Sequence, residues 1–225
     1  MNAVVIKHLT RGTAALSLAV VALASPASAS PVTYAAPAVS LQMPEPPAAL
    51  AVMDELQMLT VEAPHSMAGY SREKFPHWAK QFGTCDTREV VLARDGEGVE
   101  QDAECRATSG TWTSLYDNKT FTVAGQLDID HMVPLANSWR SGADTWTTAK
   151  RKQFANDLEH SQLIAVSAAS NRSKGDQSPE TWVPTNNLYW CTYSRAWTHI
   201  KSIYGLSVTE GEKFALEGML NTCKS

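Results

Sequence analysis

Beyond its first thirty residues the chain has no stretch approaching twenty consecutive apolar residues, which argues against any later membrane-spanning helix. It has no C-x-x-C pair and no H-E-x-x-H string, so neither a zinc ribbon nor a zinc-peptidase helix is indicated. No internal repeat is visible. A basic excess is also missing: 19 Lys and Arg stand against 23 Asp and Glu over 225 residues, a net charge of −4. Attraction of the whole molecule to nucleic acid is therefore excluded, and any such affinity has to be local.

What is present begins with an export signal. Lys7 and Arg11 precede an apolar run over residues 12–24, and Ala27-Ser28-Ala29 offers small residues for cleavage. This is the order of a secretory signal peptide, residues 1–29, and it predicts a secreted protein without stable membrane insertion. Loss of Lys7 and Arg11 leaves 17 cations against 23 anions. Residues 30–50 are rich in Pro and Ala and read as a flexible leader that buries little. Residues 51–225 then form one domain with a single core, and no obligate protein partner is evident.

Four cysteines remain: Cys85, Cys105, Cys191 and Cys223. In an exported chain an even number predicts disulfides, with three pairings open. Sequence-local pairing, Cys85–Cys105 and Cys191–Cys223, is favoured because each bridge closes a loop within one region; each stabilises by roughly 3 kcal/mol. A zinc site is the weaker alternative.

Periodicity and punctuation predict an α+β domain in which helices dominate. Val52, Leu56 and Leu59 mark one face of a short helix within residues 51–61. Helices are expected over 71–80, capped by Ser71 and interrupted by Pro76, and over 86–93, capped by Asp86. Residues 95–98 read as a loop, 111–116 and 119–123 as strands, and 126–133 as a further strand. Helices follow at 134–139 and 147–156, a buried strand at 163–166, a helix at 167–174, and closing helices at 186–204 and 209–220. Most of the tryptophans are assigned to the core.

Two clusters carry the chemistry. Asp128-Ile129-Asp130-His131 ends a strand before Pro134, and Asn171-Arg172-Ser173-Lys174-Gly175-Asp176 lies about forty residues later. Singly, Asp130 reads as an ion-pair partner, Asn171 as a helix-end residue and His131 as a histidine bonded to backbone. Together they supply an imidazole base, two hard oxygen ligands and nearby cations, which is what phosphodiester hydrolysis requires. Neighbours on a strand face opposite ways, so Asp130 and His131 can share a phosphate only if the strand ends there. Asp128, on the same strand face as Asp130, is a further ligand or a partner of one, with solvation of the strand end as the equal alternative. From Trp139 to Lys174 there are six cations and three anions, so the surroundings are locally positive; for Lys150, Arg151 and Lys152 a solvated helix face is the equal alternative.

The strings D-I-D-H-M-V-P, L-I-A-V and N-R-S-K-G-D resemble the signature of HNH, or ββα-metal (His-Me finger), nucleases. Further segments extend the likeness: G-Y-S-R-E-K-F-P-H-W (69–78), C-D-T-R-E-V-V-L-A-R-D (85–95), A-K-R-K-Q-F-A-N-D (149–157) and W-V-P (182–184). Together they look like exported actinobacterial proteins related to the C-terminal domain of GmrSD-type restriction enzymes. The resemblance implies a ββα-metal core in a mostly helical, disulfide-bonded domain. It also implies a metal-dependent endonuclease acting on DNA, with RNA as the second candidate, and of low sequence specificity. His131 matches the general base, and Asp130 and Asn171 the ligands of Mg²⁺ or Mn²⁺. The middle Asn of the motif falls at Gln162, a departure from the family pattern. His160 is a candidate to orient the base; Arg172, Lys174 and Lys152 are candidates for substrate contact. The alternative from another class is a non-catalytic exported binding or surface protein on the same scaffold.

Overall fold

The computed structural model describes Met1 and residues 43–223, so the expected signal peptide and most of the leader lie outside the described residues. The end of the leader does not hang free. Ser161 Oγ donates to Pro44 O at 2.7 Å, Arg195 Nε donates to Pro47 O at 2.7 Å, and Glu45 pairs with Arg195. Arg195 lies on a long helix whose surface would otherwise leave this guanidinium unpaired. Met43 packs against the helical core and Pro46 is buried, so apolar contact holds the segment as well.

Helix α1 (Ala49–Met58) buries Val52 and Leu56, as the spacing predicts. Residues 71–80 do not form the expected helix: one 3₁₀ turn, Arg72–Lys74, is followed by extended chain and strand β1 (Lys80–Phe82). Pro76 removes a helical donor, and Trp78 takes a left-handed φ of 55°. β1 pairs with β2 (Cys85–Asp86). Helix α2 (Thr87–Asp95) starts from Asp86 through a reciprocal capping box with Glu89. The expected loop at 95–98 shrinks to Gly96, since Asp95 ends α2 and Glu97 and Gly98 begin β3 (Glu97–Gln101), which pairs with β4 (Ala107–Ser114); β4 in turn pairs with β5 (Lys119–Phe121). Gly96 allows this abrupt entry, since a Cβ there would lie 2.4 Å from the Trp112 indole nitrogen.

The element that positions the site is a two-stranded antiparallel ribbon. β6 (Leu127–His131) pairs with β7 (Leu163–Ser167) in a register from Leu127 opposite Ser167 to His131 opposite Leu163. Between them the chain makes α3 (Leu135–Arg140) and α4 (Thr148–Ala155); directly after β7 comes α5 (Ala168–Lys174), capped by Ser167. α6 (Trp190–Tyr204) ends at Gly205 with φ 66°, and α7 (Glu210–Leu220) is capped by Thr209.

Two hydrophobic clusters sandwich this ribbon. Leu127, Ile129, Leu163 and Ala165 face a small cluster with α2 and Trp112. Ile164 and Val166 face the larger helical core around Tyr116, Tyr193 and Trp197. Strand alternation thus sends Asp130 towards the helical core and His131 towards α2. Both expected disulfides, Cys85–Cys105 and Cys191–Cys223, are formed. Among the described residues no helix is long and apolar enough to cross a membrane.

Candidate active site

β6 ends at His131, and the chain turns at once: Met132 N–H donates to Gln162 O at 2.7 Å. This turn brings two residues from opposite strand faces to one opening. A cavity of about 260 Å³ is lined by Asp130, His131, Asn171 and Arg172, together with Tyr70, Arg72 and Asp176. Residues 40 apart in sequence meet because α5 follows β7 without a linker and packs back on β6.

His131 is 4% exposed, and its Nε2 lies 3.0 Å from Ala155 O. A carbonyl only accepts, so Nε2 carries the proton, and Nδ1 is left as a bare lone pair. Nδ1 has no protein partner among the described residues. Burial, with Arg72, His77 and Lys174 adding positive potential, lowers the imidazole pKa to about 3, opposed by the bond to Ala155. The ring is therefore neutral at physiological pH, in the acceptor form.

Asp130 is 5% exposed, and its Oδ2 takes two donors, Tyr116 OH at 2.5 Å and Lys174 Nζ at 2.6 Å. Burial pushes this carboxyl up and the Lys174 ammonium down from their ordinary values, and the contact between them pulls each back towards charge. Oδ1 takes no hydrogen bond among the described residues. Asn171 Nδ2 donates to Asp128 Oδ2 at 3.2 Å, which orients the amide and leaves its oxygen free. Asp128 is thus a partner of Asn171, and Arg172 Nε is 3.8 Å from the same carboxylate oxygen. Two unclaimed hard oxygens, on Asp130 and Asn171, border one cavity. They suit a divalent ion that keeps most of its shell as water and substrate oxygen. Among the described residues no larger set of His, Cys, Asp or Glu gathers as a metal site.

Other expected residues lie elsewhere. Lys174 is fully buried, donating also to His131 O at 2.9 Å and Met132 O at 3.1 Å, so it braces the site from below and is not placed to meet a phosphate. Gln162 is fully buried and clamps Val133, accepting from its N–H at 3.1 Å and donating to its C=O at 3.0 Å. It supports the turn after His131 and does not line the cavity. His160 is bonded to Asp157 at 2.9 Å and, like Lys152, borders a different cavity with Asn156 and Lys80. Sequence reading missed Tyr70, Arg72 and the clamp of Tyr116 on Asp130. The first two lie in the segment 69–78, where the family likeness was the available signal; nothing near Tyr116 pointed to Asp130.

The family of GmrSD restriction endonucleases, C-terminal domain, matches residues 93–217. An uncharacterized secreted protein of the fungus Arthroderma benhamiae is 56% identical over 180 residues, which cover 80% of this chain and 88% of that protein. The expected actinobacterial affiliation is not supported by this fungal relative; motif strings reflect shared chemistry and packing more than lineage. No solved structure matches the chain. A secreted relative and two formed disulfides agree on an exported protein. With more than half its length matched, the chain belongs to the family of GmrSD restriction endonuclease C-terminal domains.

Proposed function

We propose that this protein is a secreted endonuclease that hydrolyses phosphodiester bonds of DNA, with RNA as the second candidate substrate. Its core would be a ββα-metal finger formed by β6, β7 and α5. The observation that carries the reading is that Asp130, His131 and Asn171 line one cavity, with the Nδ1 lone pair of His131 unclaimed.

In this reading Nδ1 takes the proton from a water poised against phosphorus, while Nε2–H stays on Ala155 O and fixes that ring nitrogen. Asp130 Oδ1 and Asn171 Oδ1 would hold Mg²⁺ or Mn²⁺. Such an ion supplies positive charge against the phosphoryl oxygens and the leaving oxygen. Tyr116 and Lys174 hold the Asp130 carboxylate by one oxygen so that the other stays aimed outward. Arg172 and Arg72, both exposed at the rim, are suited to flanking phosphates. Low sequence specificity follows, because backbone contacts carry no sequence information.

The test is plasmid DNA incubated with the purified protein in Mg²⁺, Mn²⁺ or EDTA, beside His131→Ala. Metal-dependent nicking that disappears in the variant is the expected result. Cleavage undiminished in folded His131→Ala would end the mechanism. Absence of cleavage with every metal would favour the non-catalytic binding protein. Gln162, the departure that most favoured that alternative, lies away from the cavity.

A further inference from the structure

His131 needs more than a carbonyl to stay in place, since one hydrogen bond fixes a ring nitrogen but not the ring plane. The opposite contact comes from Trp78. Its ring centroid is 5.7 Å from that of His131, with 30° between the planes. Trp78 reaches that position only through a left-handed backbone, φ 55°. For a bulky aromatic residue this conformation is an outlier, and such outliers persist where the surroundings over-determine them.

Two residues, Thr87 and Asn156, hold the chain around Trp78; Thr87 N–H donates to Ala79 O at 3.0 Å. Asn156 Nδ2 donates to Pro76 O at 2.7 Å, and Asn156 Oδ1 accepts from Ala79 N–H at 2.8 Å and Thr87 Oγ1 at 2.7 Å. The amide thus brackets residues 76–79 on both sides of Trp78. Asn156 directly follows Ala155, whose carbonyl takes the His131 Nε2 proton. A two-residue step at the end of α4 therefore controls both contacts of the imidazole, one by its backbone and one through Trp78.

We infer that Trp78 and Asn156 are positioning residues that hold the His131 imidazole in the Nε2–H tautomer and in one plane, with Nδ1 presented to the cavity. This rests on His131 being the base proposed above. A neutral imidazole has two tautomers and can flip its ring, and only one of the four combinations both satisfies Ala155 O and leaves the lone pair towards the cavity. Without the indole the ring can rotate off the carbonyl. Without the amide bracket the chain around Trp78 relaxes out of its left-handed conformation and withdraws the indole.

The experiment compares wild type, Trp78→Asn, Trp78→Phe and Asn156→Asp by ¹H–¹⁵N imidazole spectra at neutral pH and by kcat and KM on DNA. Asparagine tolerates a left-handed φ, so Trp78→Asn removes the indole and spares the turn. Asn156→Asp keeps the acceptor and loses the donor to Pro76. Wild type should show one His131 tautomer with a slowly exchanging Nε2–H. Trp78→Asn and Asn156→Asp should show mixed tautomers and fast exchange. Their kcat should fall about ten- to a hundred-fold, the scale of a misplaced catalytic group, with KM changed less than about two-fold. Trp78→Phe should recover most of both signals.

Wild-type His131 spectra in folded Trp78→Asn and Asn156→Asp would overturn the inference. Should Trp78→Asn not fold, the spectra of Asn156→Asp decide alone. Wild-type protein that cleaves nothing would sink the nuclease reading, while the spectra would still decide whether Trp78 and Asn156 hold the ring.

Discussion

Lys174 Nζ lies 2.6 Å from Asp130 Oδ2, with the lysine fully buried and the carboxylate only 5% exposed. The same ammonium reaches two carbonyls at the end of β6, so one side chain joins α5 to the strand terminus that carries Asp130 and His131. Asn171 and Lys174 are three residues apart on α5, which places them on one side of the helix. The first faces the cavity, and the second supports its floor.

Removing the cation should be costly. Lys174→Met leaves a buried carboxylate without its ion-pair partner, and a loss of about 3–5 kcal/mol is expected in urea denaturation. Lys174→Met combined with Asp130→Asn removes both charges and should cost less than the two single variants summed. Equal costs for the double variant and that sum would mean the two groups are not energetically coupled.

Gln162→Ala should act on stability before chemistry. Its amide satisfies both backbone groups of Val133, which are left in a buried turn when the side chain is cut back. An unpaired buried group costs about 1–3 kcal/mol, and this variant creates two. The midpoint of urea unfolding should fall accordingly, and under conditions where the variant is folded its cleavage rate should lie far above that of His131→Ala. A rate as low as that of His131→Ala in folded protein would place Gln162 in the chemistry itself.

The parts of the site legible in sequence were those with local signals. Asp130, His131 and Pro134 announce a strand that ends, and Ser167 announces the helix that brings Asn171. Asp86 announces α2. Residues 71–80 misled because Ser71 and the helix formers after it outweigh one proline in local propensity. The bonds that decide their course come from Asn156, about eighty residues later. Lys174 misled for a related reason. Next to Arg172 it reads as a second exposed cation, and nothing local reveals that Asp130 and two carbonyls await it in the interior. Long-range polar partners leave no periodic trace in sequence.

Stability should carry a small histidine-dependent component on the side of His65. Its Nδ1 lies 2.9 Å from Asp144 and its Nε2 3.3 Å from Glu62. The hydrogen bond to Asp144 raises its pKa above 6.5, against a smaller opposing effect of burial. A raised folded-state value means the contribution is fully present below pH 6.5 and is lost as pH rises through the folded-state pKa. His65→Gln should therefore lower Tm more at pH 5.5 than at pH 8.5. An identical Tm difference at the two pH values would show that protonation of His65 is not linked to folding.

Arg172 and Arg72 should be separable from the basic residues that lie elsewhere. Arg172 is 77% exposed, and both border the cavity with His131, whereas Lys152 borders a different one. A cation that neutralises one phosphate contributes about one unit to the slope of log affinity against log salt. Arg172→Ala and Arg72→Ala should each reduce that slope by about one for DNA binding, measured with His131→Ala as background so that substrate is not consumed. Lys152→Ala should leave the slope unchanged. The reverse pattern would move the path of the strand across the surface containing Lys80, Lys152 and His160. Arg72 and Arg172 would then be left outside its course.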